Sequence, residues 1–461
     1  MKKYFSFLIF ALVLAMGCDG DYNSATTDNS EMFTFNEGTY LTPAIDSEGG
    51  ALTFGFKSNT AWSVVENEEW IEVTPASGDA TANKFEVVIL KNRTGDERVA
   101  TLSVVYGSKS ITLSITQFAE LCAVNEVAYR TTTGETLALD SYDGFGSAMV
   151  ENVYENGYGK LRFEGEVTTI PAEAFKGCEN LSLILLPKNL ESIGDSAFEG
   201  CTSLTGITLG DSVTAVGQRA FYECRSLKSA SLGEGLTSIG TEAFYLCAQL
   251  ESIAIPAKVK HLGDYTFYNC ISLGEVTLYE GIESIGSHCF ALCSSLTAAA
   301  LPDSVTAVGD YAFSDCTALA TVTLGSGIES LGGNAFASCS ALSNITLPKG
   351  LKSLGGYVFS NCRNIRSITL PSSIECIGDC AFFNCSALYS VECGATTAPA
   401  LGRYAFHKYV FDASGESGEA GNIEELSYSP IGCAIYVPAT AVEAYKTADN
   451  WSDYATSIQA K

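Results

Sequence analysis

Basic side chains are scarce in this sequence. Its 461 residues include 26 Lys and Arg against 53 Asp and Glu, which gives a formal net charge of −27. Nucleic-acid binding needs basic stripes that neutralise phosphates, and electrostatic docking on anionic lipid needs clustered Lys and Arg. The composition excludes both functions and indicates a large exposed surface kept soluble by its charge. The acids are scattered, and no Asp-x-Asp-x-Asp-Gly loop indicates calcium binding.

Long apolar runs are absent except at the N-terminus. Lys2 and Lys3 precede an apolar stretch, residues 4–16, that is typical of a secretory signal and too short for a stable membrane span. It ends in Leu-Ala-Met-Gly-Cys, which resembles a lipobox, so we expect a signal peptide over residues 1–17 and a lipid on Cys18. Ordinary signal cleavage nearby is the alternative. Asp19 and Asp21 resemble the signals that send Bacteroidetes lipoproteins to the outer face of the outer membrane, which predicts a lipid-anchored protein at the cell surface.

Phenylalanine recurs with a fixed period of 23 residues through the middle of the chain. The column comprises Phe175, Phe198, Phe221, Phe244, Phe267, Phe290, Phe313, Phe336, Phe359 and Phe382. A cysteine follows each by three residues, from Cys178 to Cys385, and an aliphatic residue follows three further on, from Leu181 to Leu388. Fixed periods of about 20 to 50 residues mark solenoids, and 23 lies in the leucine-rich-repeat range.

Each repeat predicts one coil of such a solenoid. Ile207 and Leu209 alternate with polar residues, as in a strand with one buried face. The spacing of Phe221, Cys224 and Leu227 fits a single helical turn that lies on the core. Because one coil cannot bury its own apolar face, we expect ten stacked coils whose strands lie about 4.8 Å apart.

The repeat also matches a known family. Residues 301–324, LPDSVTAVGDYAFSDCTALATVTL, resemble the BspA-type leucine-rich repeats of bacterial surface proteins almost without deviation. The resemblance implies a curved solenoid on an extracellular protein, and several members of that family are adhesins for host proteins or other cells. We therefore expect a leucine-rich-repeat solenoid over residues 166–394, in which a parallel β-sheet alternates with short helical turns.

A different module precedes the repeats. After a polar tether, residues 18–33, alternating runs over residues 34–119 predict an Ig-like antiparallel β-sandwich. The segments SNTAWSV, WIEVTPASG and NRTGDERVATLSV resemble the BACON domain, whose family name suggests carbohydrate binding. Trp62 and Trp70 are candidates for stacking on sugar rings, with packing in the sandwich core as the alternative. We expect this module to act as a spacer that holds the solenoid away from the membrane.

Atypical segments flank the repeats, as solenoid ends require. Residues 120–165 are strand-like and predict an N-terminal cap, and residues 395–461 predict a C-terminal cap. In the second cap we expect a final strand over residues 434–437, a short helix that starts at Ala441, and Trp451 packed over the last coil. The acidic, glycine-rich insertion between Phe406 and Ser429 is expected to be a mobile loop.

No catalytic constellation emerges from the residues. His261, His288 and His407 occupy different positions within the repeat, and the glycines serve turns and form no phosphate loop. We therefore expect no enzyme activity and no cofactor. The ten column cysteines should point inward as reduced thiols, while Cys376 and Cys380 are the candidates for a bridge or a reactive thiol. Zinc is not expected, because no Cys-x-x-Cys pair completes a site.

Aromatic residues gather on the predicted outer face. The residue after the buried phenylalanine is Tyr222, Tyr245 and Tyr268 on three consecutive coils. A second series with a spacing of two repeats comprises Tyr265, Tyr311 and Tyr357. These tyrosines are a candidate surface for a glycan or a protein, with local packing between coils as the alternative. The outward positions of the strands are small and hydroxyl-rich and lack the anchors typical of binding hot spots.

These features predict a monomeric cell-surface lipoprotein that acts as a binding or adhesion module. The expected ligand is a host protein, a mucin or another cell, bound through the repeat solenoid. The alternative is an accessory lipoprotein that captures glycans for a polysaccharide-uptake system. Contact with the membrane is expected only through the N-terminal lipid.

Overall fold

Two large hydrophobic cores organise the described part of the chain. The computed structural model describes residues 32–36, 44–45, 49–66, 68–92, 98–117, 121–139, 141–155, 158–410 and 427–461. Cys18 and most of the predicted insertion lie outside these residues. One core belongs to the N-terminal module, and the other runs from Val127 to Ile458 through the repeats and both flanking segments.

The N-terminal module is a β-sandwich of two sheets. The strands are β1 (Phe33–Phe35), β2 (Ala44–Ile45), β3 (Gly50–Ser58), β4 (Trp62–Val65), β5 (Ile71–Thr74), β6 (Ser77–Gly78), β7 (Lys84–Ile89), β8 (Arg98–Tyr106) and β9 (Lys109–Gln117). One sheet has the strand order β1-β3-β7-β5 and the other β2-β9-β8-β4-β6. Their alternating buried and exposed residues confirm the predicted sandwich.

A small antiparallel sheet covers the start of the repeats. It comprises β10 (Glu126–Thr131), β11 (Met149–Glu155) and β12 (Tyr158–Phe163), and β10 also pairs with the first long strand of the repeats, Leu181–Leu185. Phe145 packs edge-on against Phe175, the first ring of the phenylalanine column, with 6.2 Å between ring centroids. This contact closes the open end of the repeat core, as the sequence predicts.

Each coil of the solenoid contributes to two parallel sheets. The first sheet has eleven short strands: Thr169–Ile170, Ser192–Ile193, Ala215–Val216, Ser238–Ile239, His261–Leu262, Ser284–Ile285, Ala307–Val308, Ser330–Leu331, Ser353–Leu354, Cys376–Ile377 and Ala400–Leu401. The second face carries the longer strands that the sequence predicts: Leu181–Leu185, Gly206–Thr208, Ser229–Ser231, Ser252–Ile255, Glu275–Leu278, Ala298–Ala300, Thr321–Thr323, Asn344–Thr346, Ser367–Leu370 and Ser390–Cys393. The sequence analysis did not predict the sheet of short strands.

The third face of each coil is a turn, and the helical turn predicted there is wrong. Backbone N–H groups at alternate residues donate to carbonyls of the following coil, at 2.9–3.1 Å around Phe244. These bonds run from Glu242 to Asp264, from Phe244 to Thr266 and from Leu246 to Tyr268. Glu242 and Leu246 each have a φ of 58°, which points their N–H groups along the stack instead of along a helix. The first two coils have Gly177 and Gly200 at the position of Leu246, where glycine adopts positive φ without steric cost.

The interior carries two parallel columns. The phenylalanine rings stack face to face with centroids 5.1–5.7 Å apart, and the column extends to an eleventh ring, Phe406, so the stack is longer than the predicted ten coils. Beside them lies the cysteine ladder, the nine cysteines that recur every 23 residues from Cys201 to Cys385, and all nine are buried free thiols. Each thiol donates to the carbonyl of the phenylalanine one coil earlier, at 3.1–3.3 Å. The ladder cysteines therefore act as hydrogen-bond donors as well as small apolar residues.

The C-terminal segment closes the other end of the core. The strands Ala434–Val437 and Ile458–Ala460 extend the long-strand face in parallel, and His407–Val410 pairs with Ser427–Pro430 in a hairpin. The segment that joins Ala434–Val437 to Ile458–Ala460 contains two 3₁₀ helices, Ala439–Ala441 and Trp451–Tyr454, and one α-helix, Val442–Thr447. Trp451 is fully buried, and its indole N–H donates to the carbonyl of Pro399 at 2.8 Å. The predicted strand, helix and tryptophan contact are all present.

Candidate binding surface

The turn face brings the three sequence-predicted tyrosines together. Tyr222 stacks on Tyr245 with ring centroids 4.7 Å apart, and Tyr245 stacks on Tyr268 at 4.9 Å. All three side chains are partly exposed. Burial between its neighbours raises the pKa of Tyr245, with smaller contributions from Tyr222 and Tyr268. The tyrosines are thus both packed against one another and accessible from outside.

A second aromatic column continues this stack along the same face. Tyr265 stacks on His288 at 4.5 Å, and His288 stacks on Tyr311 at 4.6 Å. The two columns meet in the fifth coil, where the rings of Tyr265 and Tyr268 are 5.5 Å apart and tilted by 60°. Sequence reasoning noted the spacing of Tyr265 and Tyr311 but missed His288, which lies 23 residues from each. We call these six residues the outer aromatic strip: Tyr222, Tyr245, Tyr268, Tyr265, His288 and Tyr311.

Ion pairs close the N-terminal end of the strip. The guanidinium of Arg219 lies over the ring of Tyr222, 4.0 Å from its centroid, and is within 3.5 Å of the carboxylates of Glu199 and Glu242. Lys176 continues this network through Glu199. One face of Tyr222 is therefore occupied by the chain's own cation.

His288 is a neutral member of the strip. Partial burial lowers its pKa, which outweighs the opposite effect of Asp264 and Asp310. Its Nδ1 is buried and has no hydrogen-bond partner among the described residues. An imidazole in this setting acts as a flat aromatic ring between two tyrosines and carries no positive charge at neutral pH.

The stacked geometry decides which chemical groups a partner meets. Rings inside the stack have both faces covered by neighbours, so they present edges and hydroxyl groups. Sugar stacking needs an open ring face, whereas protein side chains and backbone groups can contact edges and hydroxyls. The strip therefore suits a protein surface better than a pyranose ring.

The two tryptophans of the sandwich do not form an open aromatic platform. Trp62 is 3% exposed and packs edge-on against Phe56, so the suggestion that it stacks on a sugar is wrong for this structure. Trp70 is partly exposed, but the guanidinium of Arg98 covers its ring at 4.1 Å and its indole N–H donates to Glu68. The core packing that the sequence left as the alternative applies to Trp62.

The remaining candidates are dispersed. His261 lies on the short-strand sheet beside Ser284, and His407 is buried against the hydroxyl of Tyr454. Cys376 is exposed and Cys380 is buried, and both thiols are free. Within the residues that the structure describes, no group of three or more His, Cys, Asp or Glu could hold a metal ion. No helix in that part of the chain is long and apolar enough to cross a membrane.

Two family models match the chain, and several solved structures are similar to it. A family model described as BspA type leucine rich repeat region matches residues 168–297 and 283–410, and one described as viral BACON domain matches residues 33–120. A leucine-rich repeat protein from Bacteroides ovatus is 31% identical over 56% of this chain and 70% of its own, with a TM-score of 0.48. The leucine rich repeat protein of T. pallidum is 26% identical over 34% of this chain and 75% of its own, with a TM-score of 0.32.

A third solved structure, the pneumococcal vaccine antigen PcpA, is 20% identical over 64% of this chain and 75% of its own, with a TM-score of 0.38. No curated protein sequence matches the chain. The repeat model alone covers more than half of the 461 residues. Proteins with such repeats are usually surface-associated, and their repeats serve as protein-interaction modules. The chain therefore belongs to the BspA-type leucine-rich-repeat family.

Proposed function

We propose that this protein is a cell-surface lipoprotein that binds host proteins, mucin or other cells through the outer aromatic strip of its solenoid. A lipid on Cys18 would anchor it to the outer membrane. The β-sandwich would act as a spacer between the membrane and the solenoid.

One observation carries the proposal: the strip is not needed to build the coil. The first two coils have Lys176 and Glu199 at the position of the stacked tyrosines and carry no residue of the strip. The interior rings stack equally well with and without the strip, at 5.1 Å between Phe221 and Phe244 and at 5.1 Å between Phe175 and Phe198. A row of accessible aromatic residues beyond what packing requires is typical of a protein-binding surface.

The glycan-capture alternative has less support. It relied on exposed tryptophans or tyrosines as stacking platforms. Trp62 is in the core, Trp70 is covered by Arg98, and the inner rings of the strip have covered faces. We therefore favour a protein ligand, including the polypeptide of a mucin, over a free polysaccharide.

A binding panel tests the proposal. The full chain would be presented to immobilised matrix proteins, mucin, whole cells and a glycan array. We expect capture of a protein or cell, and a loss of about ten-fold or more in that capture for the combined variant Tyr222→Ser, Tyr245→Ser and Tyr268→Ser. Tyr279→Ser with Tyr389→Ser is the matched control, because these tyrosines are 50% and 64% exposed outside the strip.

Two outcomes would contradict the proposal. Capture that survives the strip variant would place binding elsewhere on the molecule. Binding to glycans alone would favour the uptake alternative. The anchor is checked separately: Cys18→Ala should release the protein from membranes and abolish incorporation of labelled fatty acid, whereas ordinary signal cleavage predicts no change.

A further inference from the structure

The second aromatic column contains a slot that the chain fills itself. Tyr265, His288 and Tyr311 occupy the same position of three successive coils, with φ values of 56–57°. The imidazole of His288 lies between the two tyrosine rings at 4.5 and 4.6 Å, and its plane is within 11° of theirs. The spacing of two coils is thus wide enough for one planar group between the rings.

The same position continues into the next two coils without a filling ring. Asn334 follows Tyr311 and Tyr357 follows Asn334, with φ values of 55° and 57°. Their backbone N–H groups donate to the next coil in the same register as His288, at 2.7–2.8 Å. Tyr311 is 39% exposed and Tyr357 is 45% exposed. We call the space between these two tyrosines, with Asn334 as its floor, the asparagine slot.

The polar groups around the asparagine slot favour a cationic occupant. The side-chain amide of Asn334 makes no hydrogen bond to any described residue and is only partly buried. Asp310 lies next to Asn334 along the stack, because one of its carboxylate oxygens accepts a hydrogen bond from the N–H of Gly333 at 2.6 Å. Asp310 is exposed. The turn segments of the three coils that form the slot, 310–318, 333–341 and 356–364, contain Asp310, Asp315 and one basic residue, Arg363, which is exposed. A planar cation would meet ring faces, an amide oxygen and a carboxylate.

The chain itself shows this chemistry once. At the other end of the strip, Arg219 lies over Tyr222 at 4.0 Å while Glu199 and Glu242 pair with its guanidinium. Lysine would supply the charge without the flat shape, and an uncharged planar group would not use Asp310. Guanidinium combines both properties.

We propose that the asparagine slot binds an arginine side chain of a protein partner, sandwiched between Tyr311 and Tyr357 and hydrogen-bonded to Asn334 and Asp310. This inference deepens the proposed function and rests on it for the biological role. It names the partner chemistry as a basic protein segment that presents arginine, and the net charge of −27 attracts such a segment.

The test uses synthetic peptides and needs no natural partner. Three peptides of equal length carry arginine, lysine or citrulline at the same positions, and calorimetry with the full chain measures each affinity and stoichiometry at physiological salt. Lysine has the positive charge of arginine without its planar group, and citrulline has a planar group without the charge. We expect the arginine peptide to bind about ten-fold more tightly than either of the others.

Two substitutions make the test specific to the slot. Asn334→His refills the slot as His288 does two coils earlier and should reduce arginine-peptide affinity to that of the lysine peptide. Ser196→His is the matched control, because Ser196 has the same left-handed backbone in a coil without flanking rings. His288→Asn should open a second slot between Tyr265 and Tyr311 and raise the peptide stoichiometry by one site.

Equal binding of the arginine and lysine peptides would overturn the inference, and so would an equal effect of Asn334→His and Ser196→His. Glycan binding that Asn334→His abolishes would assign the slot to a sugar and overturn it as well. The proposed function fails separately, since it depends on capture of a protein or cell through Tyr222, Tyr245 and Tyr268. If the arginine peptide binds as expected but no protein or cell is captured, the arginine-binding slot would be supported and the proposed adhesion function would be contradicted.

Discussion

The solenoid has an aromatic column inside and an aromatic strip outside, and both stack one ring per coil. Inside, rings from Phe175 to Phe406 stack 5.1–5.7 Å apart and are fully buried. Outside, the spacing is as close, at 4.5–4.9 Å, but the rings are partly exposed and confined to the third to seventh coils. The inner column is continuous because every coil must fill the same core. The outer strip is confined to a few coils, so the repeat fold does not require it.

This difference predicts opposite consequences for change. Altering the interior should destabilise the solenoid and leave no specific binding defect. Altering the strip should spare stability and remove binding. Adjacent residues such as Phe267 and Tyr268 allow the two effects to be compared within one coil.

The largest effect should come from alkaline pH, which acts on the buried thiols beside the phenylalanines. Burial raises the pKa of Cys270, Cys316 and Cys362 to about 12 from an ordinary value of 9.0. Because the unfolded chain releases these protons first, stability is complete below pH 9 and falls as the pH rises towards the folded-state pKa. At about pH 10 each thiol should cost roughly 1 kcal/mol, and nine buried ladder thiols on the order of 10 kcal/mol together.

Thiolate absorbance and circular dichroism, recorded together through an alkaline titration, check this prediction. The ladder cysteines should form thiolates only as the β-sheet signal is lost. Thiolate formation by the ladder cysteines in a chain that keeps its native sheet signal would contradict it.

The next largest effect should follow Phe267→Ala. The ring is fully buried between Phe244 and Phe290, with centroids 5.3 Å away on both sides. Its removal leaves a cavity that rigid neighbouring coils cannot close, so the free energy of unfolding should fall by about 3–5 kcal/mol. Chemical denaturation measures the loss. A change below about 1 kcal/mol would show that the coils can collapse around the cavity.

A smaller effect is expected for Tyr268→Ala on the outer strip. The next coil already has Ala291 at this position and packs normally. The lost ring contacts should lower the free energy of unfolding by about 1 kcal/mol or less. Denaturation under the same conditions as for Phe267→Ala supplies the comparison. Equal losses for the two neighbouring residues would mean that the strip is part of the structural core.

The smallest effect should follow Cys376→Ser. This thiol is exposed on the short-strand sheet and lies outside the cysteine ladder. Stability should change by no more than about 0.5 kcal/mol, as for most surface substitutions. Alkylation of the native chain without reductant, followed by mass spectrometry, should modify Cys376 and leave the ladder unmodified. Modification of ladder cysteines at a similar rate would contradict their burial in the folded coil.

The repeat pattern predicts the solenoid well because the strict positions are its core. The fixed spacing from Phe221 to Leu227 identifies three inward side chains irrespective of the backbone that joins them. The same spacing could not distinguish a helical turn from the observed turn, because both return a side chain to the core every three residues. The left-handed residues provide a partial signal, since Gly177, Gly200 and Asn269 occupy such positions.

The sequence predicts the stacked tyrosines of the candidate surface but not its second aromatic column. Tyr222, Tyr245 and Tyr268 follow directly from the repeat register, and their contact follows from the spacing between coils. His288 was overlooked because a histidine does not resemble a tyrosine in the sequence, although it occupies the register position between Tyr265 and Tyr311. Burial of Trp62 could not be read from its strand, since the alternation places half of the residues inward without saying which half.

The proposed function requires that the outer aromatic strip is the surface that contacts the partner. Hydroxyl-radical footprinting of the full chain, with and without a partner selected by the binding panel, measures this contact directly through tyrosine oxidation. We expect the partner to protect Tyr222, Tyr245 and Tyr268 from oxidation, while oxidation of Tyr279 and Tyr389 stays unchanged. Unchanged oxidation of the strip, with protection elsewhere on the solenoid or on the sandwich, would contradict it.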